Sequence, residues 1–120
     1  MKEGDLFPLS SFIPLHIKVA RLAQTWNTKN NIGLVVGATH IEATKRVRAA
    51  APDLWFLAPG VGAQGGELEA ALKAGLRKDG KGMLFPVSRG ISRAGKPALA
   101  AAEMRDQMAE LIRGGIHKSQ

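Results

Sequence analysis

An α/β chain built on a parallel sheet is what three features of this sequence predict. Short, uncharged apolar runs begin near residues 32, 55 and 82. Stretches with apolar residues at helical spacing lie before, between and after them. The run starts are 23 and 27 residues apart, the cadence of successive strand-helix units. An order helix, strand, helix, strand, helix, strand, helix requires parallel strands, because each return to the sheet needs a crossover helix, and such crossovers are right-handed.

The first helix is expected from Leu15, Val19, Leu22, Ala23 and Trp26, which recur as one apolar stripe before the polar run Asn27 to Asn31. Ile32 to Val36 is apolar at consecutive positions, the pattern of a parallel strand covered on both faces. Thr39 and Glu42 fit a capping box that starts a second helix, with Ala43, Val47, Ala50 and Ala51 inward, Glu42 paired with Arg46 and Pro52 as the stop. Leu54 to Ala58 forms the second strand, and a helix beginning near Gly66 turns Leu68, Ala71, Leu72 and Leu76 to one face. Met83 to Val87 forms the third strand. The last helix runs from about Pro97 to Arg113, with Met104, Met108, Leu111 and Ile112 inward and Gly114 and Gly115 stopping it.

Composition narrows the function classes. With 45% apolar residues the chain should pack as one domain over residues 1–120. The absence of cysteine excludes disulfides, thiolate metal sites and cysteine nucleophiles. No signal-like N-terminus and no membrane-length apolar run is present, so a cytoplasmic location is expected. A net charge of +7 attracts phosphorylated small molecules and nucleic acid alike, but aromatics at 5% are few for base stacking, so nucleic acid is not the expected partner. The densest basic cluster, Lys45, Arg46 and Arg48, reads as a solvated helix face. His16, His40 and His117 have no metal-ligand spacing, and Trp26, Trp55 and the methionines are expected in the core.

In α/β folds ligands bind at the carboxyl ends of strands, here Gly37 to Thr39, Pro59 to Gly66 and Ser88 to Ile91. Gly60-Val61-Gly62-Ala63-Gln64-Gly65 matches the dinucleotide pattern G-x-G-x-x-G, but Pro59 stiffens the turn and no acidic residue ends a strand about 20 residues on. A phosphate site fits better. Gln64 offers an amide, Gly65 and its neighbours offer N–H groups, and the following helix points its positive end at the anion. Arg89 supplies a planar fork for two phosphate oxygens, the alternative being a rim ion pair. Thr39 reads as a cap rather than a ligand.

Three blocks, Ile32-Gly-Leu-Val-Val-Gly-Ala-Thr39, Ala51-Pro-Asp-Leu-Trp-Phe-Leu-Ala-Pro-Gly-Val-Gly-Ala-Gln-Gly-Gly66 and Pro86-Val-Ser-Arg-Gly-Ile91, resemble the last three strand ends of orotidine 5'-phosphate decarboxylases, in their bacterial branch with longer loops. The resemblance reaches from Gly4 to the last helix. It implies a partial TIM barrel of about three parallel strands and four helices, the C-terminal part of a barrel that usually needs about 250 residues. It also implies that Gln64 and Gly65, with Ser88 and Arg89, hold the substrate phosphate, and that Pro59, Gly60 and Val61 line the pyrimidine pocket. Family members convert orotidine 5'-phosphate to UMP and carbon dioxide without metal or cofactor, using a lysine and aspartates of a D-x-K-x-x-D motif.

That motif is absent. Asp79-Gly80-Lys81 matches its first half, but Leu84 stands where the second aspartate should be, and the triplet falls in a helix-to-strand connection. His16 stands where the family often has tyrosine, and Ile41 where it often has proline. The expectation is a truncated decarboxylase segment, inactive alone, with no catalytic residue of its own. Its expected partners are orotidine 5'-phosphate or UMP, and a second copy or the missing half-barrel. A non-catalytic module that binds a nucleotide monophosphate is the alternative, and a dinucleotide-binding fold a further one.

Overall fold

Three uncharged apolar segments pair as a parallel sheet, and helices cover one of its faces. The computed structural model describes residues 13–61 and 65–114. In chain order these form α1 (Leu15–Trp26), β1 (Gly33–Val35), α2 (Ile41–Ala50), β2 (Trp55–Leu57), α3 (Gly65–Gly75), β3 (Met83–Leu84), α4 (Arg89–Ser92) and α5 (Pro97–Arg113). The strand order is β1-β2-β3, all parallel. Leu34 aligns with Phe56 and Phe56 with Met83, while Val35 aligns with Leu57 and Leu57 with Leu84. The ladder continues past the strands, with Val36 donating to the Leu57 carbonyl and Ala38 to that of Pro59.

That register divides the side chains between two environments. The Leu34, Phe56 and Met83 row faces the helices, where Phe56 is fully buried. The other row lies open: Val35 is 72% exposed and Leu84 56%, with Trp55 and Leu57 also exposed. The expectation that both strand faces are covered is therefore corrected. A barrel wall needs other strands opposite it to dry its inner face, and the described residues supply helices on the outer side alone.

Two clusters make the core. Ile17, Ala20 and Ala23 of α1 pack with Val47, Ala51, Leu54 and Phe56. Leu68, Ala71, Leu72 and Leu76 pack with Ala38, Ala58 and Val61, and Met104, Met108, Leu111 and Ile112 of α5 lie against them, as the helical spacing predicts.

Other expectations need correction. The stripe read from α1 is its outer face: Leu15, Val19, Leu22 and Trp26 are exposed, and only Ala23 of the five is buried. The helix has two apolar faces, and the smaller residues give the closer approach. Trp26 and Trp55 accordingly stand outside the core. Thr39 does not cap α2; His40 takes the N-cap position, with no side-chain cap bond. Thr44 instead donates its hydroxyl to the His40 carbonyl at 2.9 Å. Glu42 pairs with Lys45, not Arg46, at 3.4 Å. The third strand stops at Leu84 rather than Val87, ahead of Pro86, and the expected loop at Arg89 winds into α4, which makes five helices rather than four among the described residues.

Candidate functional site

The carboxyl ends of β1, β2 and β3 form one rim, and the residues proposed from sequence are distributed along it. After β2 the chain turns through Pro59 and Gly60, where Gly60 has φ +109°, a conformation that side chains with a Cβ rarely adopt. A Cβ built there would sit 3.4 Å from the Thr39 methyl, so the turn is shaped by backbone angle more than by crowding. Val61 follows and is buried in the second core cluster. Ala38, Thr39, Ile41, Gly60, Val61, Glu67 and Ala70 enclose a hollow of about 290 Å³ between the loops that follow β1 and β2 and the first turns of α3. Gly60 and Val61 are thus brought together on that hollow, while Pro59 is exposed beside it.

Of the residues expected from sequence to hold a phosphate, the structure describes some and not others. Gln64, the amide donor expected in the turn, lies outside the described residues. Gly65 opens α3, eleven residues long, with Glu67 in its first turn. Ser88 and Arg89 follow β3, and the Ser88 carbonyl accepts the amides of Ile91 at 3.2 Å and Ser92 at 2.8 Å, which winds α4. Arg89 is exposed, and its guanidinium meets no acceptor among the described residues. The alternative of a rim ion pair therefore has no carboxylate among them.

The opposite rim holds a residue that sequence reasoning misplaced. Arg48, expected on a solvated helix face, is 9% exposed. Its Nε donates to the Gly75 carbonyl at 2.7 Å, its Nη1 to Ala51 at 3.0 Å and Leu54 at 2.6 Å, and its Nη2 to Gly82 at 3.0 Å. The guanidinium also lies 3.6 Å from the centre of the Phe56 ring. One side chain thereby ties the ends of α2 and α3 to the starts of β2 and β3. Burial first, and the Arg77 charge second, push its pKa down to about 10, which leaves it charged at neutral pH. A signal was present in the sequence: Thr44, Val47, Arg48 and Ala51 have the spacing of one helix face, and those four are the buried ones.

Arg77 works beside it. It donates to Asp79 through Nε at 3.2 Å and Nη2 at 2.7 Å and to the Asp53 carbonyl through Nη1 at 3.1 Å, and its guanidinium carbon sits 5.2 Å from the Trp55 ring centre. The Arg77 hydrogen bond, joined by the Lys81 amide, holds the Asp79 carboxyl below its ordinary value. Asp79 is therefore engaged in the turn between α3 and β3, the helix-to-strand connection in which the sequence places it. Among the described residues no cluster of His, Asp and Glu could hold a metal, and no helix is long and apolar enough to cross a membrane.

Comparison with known proteins assigns this architecture. The model of the orotidine 5'-phosphate decarboxylase / HUMPS family matches residues 14–104. An orotidine 5'-phosphate decarboxylase of Roseiflexus castenholzii is 46% identical over 112 residues, covering 91% of this chain and 41% of that protein. That of Haloarcula marismortui is 49% identical over 90 residues, covering 75% and 32%. Among solved structures, Leishmania donovani OMP decarboxylase superposes with a TM-score of 0.74 at 49% identity, covering 80% of this chain and 37% of its own. The UMP synthase of the same organism gives a TM-score of 0.74 at 55% identity, covering 80% and 22%. The chain thus spans about two fifths or less of the length of these relatives.

Proposed function

The chain belongs to the orotidine 5'-phosphate decarboxylase family, and from that premise we propose that its C-terminal strand rim grips the phosphate of orotidine 5'-phosphate or UMP through Gln64, Gly65, Ser88 and Arg89. The observation that carries this reading is Arg89: a guanidinium exposed just beyond the end of β3 without an acceptor among the described residues. A charged fork left in solvent at the ligand-binding end of an α/β sheet suits a planar oxyanion group. The α3 helix, opening at Gly65 on the neighbouring strand end, adds amides and a positive helix terminus, partly offset by Glu67 in its first turn. Pro59, Gly60 and Val61 line the pyrimidine end in this reading, and residues 1–120 act as one partial-barrel unit.

The role proposed is binding and not turnover. A decarboxylation that leaves a carbanion needs a proton donor at the reacting carbon, and phosphate contacts remote from that carbon supply binding energy only. The sequence carries no D-x-K-x-x-D, and Asp79 is committed to Arg77 at the other rim. The isolated 120-residue chain should therefore bind UMP and form none from orotidine 5'-phosphate.

Calorimetric titration with UMP tests the assignment. Arg89→Ala should weaken binding by about 1.5 to 3 kcal/mol, or roughly 10- to 100-fold in Kd. Equal affinity in the two proteins removes Arg89 from the phosphate site.

A further inference from the structure

The short helix α4 and Arg93, the residue that ends it, place two arginines on one side of a single turn. The Arg93 amide donates to the Arg89 carbonyl at 3.0 Å, so the two residues stand one above the other. Ser92 is set over Ser88 in the same way, at 2.8 Å. All four are exposed, whereas Val87, Ile91 and Ala94 are half-buried. Gly90 keeps the helix close to what lies beneath it, since a Cβ there would come within 3.3 Å of Val87 Cγ1. The polar side of α4 is therefore the one turned away from the fold, beyond the carboxyl end of β3.

Two like charges one turn apart destabilise a helix unless something balances them. Three other arginines have a carboxylate: Arg77 meets Asp79 at 2.7 Å, Arg105 meets Asp106 at 2.9 Å and Arg113 meets Glu110 at 3.1 Å. Around α4 the sequence offers none, with neither Asp nor Glu from Gly80 to Ala102. Neither Arg89 nor Arg93 has a side-chain acceptor among the described residues. Side chains in a helical turn lean toward its N-terminus, a direction that brings the Arg93 guanidinium back over the turn opened by Arg89. We propose that Arg93 is a second guanidinium for the ligand's phosphate, and that the pair selects a doubly charged phosphomonoester over a singly charged phosphodiester. A dianion matches two neighbouring cations, and its terminal oxygens give each planar fork an acceptor. The inference rests on the phosphate reading of Arg89 and extends it by one residue and one criterion of ligand choice.

Calorimetric titration of the parent, Arg89→Ala and Arg93→Ala with UMP and with the methyl ester of UMP at its phosphate tests the two readings separately. Arg93→Ala should weaken UMP about tenfold and the methyl ester by no more than about threefold. Arg93→Lys should restore part of the UMP affinity, since it returns the charge without the fork. Thermal unfolding of ligand-free Arg93→Ala should not fall below that of the parent, because alanine relieves a like-charge pair on an exposed turn. Unchanged UMP affinity in Arg93→Ala, with Arg89→Ala weakened, overturns the inference and leaves the phosphate reading standing. An equal loss for both ligands, or a lowered unfolding temperature, overturns it as well. No loss in Arg89→Ala, or no UMP binding by the parent, removes the phosphate reading and the inference with it.

Discussion

Two arginines, one at each end of the sheet, do opposite things with the same guanidinium. Arg48, at the strand starts, is buried and spends its donors on four backbone carbonyls. Arg89, beyond the strand ends, is exposed and has no acceptor among the described residues. The base of this partial barrel satisfies its guanidinium internally, and its rim leaves one exposed to solvent. That division suits α/β barrels generally, where the strand starts serve stability and the strand ends serve chemistry.

The sharpest way to break the comparison is to truncate each arginine and measure urea unfolding. Arg48→Ala should cost about 3 to 5 kcal/mol, because it removes the side-chain donor from the carbonyls of Gly75, Ala51 and Leu54, leaves that of Gly82 with the Phe56 amide alone, and opens a gap over Phe56. Arg48→Lys should recover part of that loss, since an ammonium keeps the charge but cannot reproduce the planar fork. Arg89→Ala should stay within about 0.5 kcal/mol of the parent, as expected for a surface side chain without partners among the described residues. Equal losses at the two positions would dissolve the distinction between base and rim.

Legibility in the sequence followed the same division. The parallel strands, the cadence of helices and the inner face of α5 were readable because each depends on a repeating apolar pattern. Arg48 was not, since local composition shows an arginine in a basic cluster and cannot show which carbonyls converge on it from residues up to 34 positions away. The α1 stripe misled for a related reason. Leu15, Val19, Leu22 and Trp26 are the more apolar face, and a sequence pattern says that a face is to be buried without saying by what. At the rim, the glycine-rich turn after β2 was legible as a turn, with Gly60 at positive φ, while Gln64 lies outside the described residues and Arg89 keeps its proposed role.

Two glycines with positive φ extend the comparison to the backbone. Gly82, at the base, has φ +96°, and a Cβ there would meet Arg77 Cγ at 2.5 Å. Arg77 is held by Asp79 and the Asp53 carbonyl and cannot withdraw without losing them. Gly82 also gives its carbonyl to both Arg48 and the Phe56 amide. Gly82→Ala should therefore cost about 2 to 4 kcal/mol, combining strain with a disturbed network. Gly60→Ala meets only ordinary contacts and should cost about 1 to 2 kcal/mol from its backbone angle. Thermal unfolding of both variants ranks them, and a larger loss at Gly60 would place the stiffer structure at the rim.

The smallest expected effect concerns acid. Asp79 accepts the Arg77 guanidinium and the Lys81 amide, so its carboxyl titrates below the ordinary carboxylate value in the folded chain. The folded state then holds fewer protons than the unfolded state as the pH falls through that range. Stability from Asp79 is present above the ordinary carboxylate value and is lost as the pH falls toward the folded one. With the Asp79 side chain 51% exposed, solvent screens the pair and its contribution should stay below about 1 kcal/mol. Unfolding free energies measured from pH 7 to pH 3 should fall slightly more steeply for the parent than for Asp79→Asn, and the difference should shrink in high salt. If the two curves run parallel, the turn at the base is held by the Arg77 contacts to Asp53 and Trp55 rather than by this carboxylate.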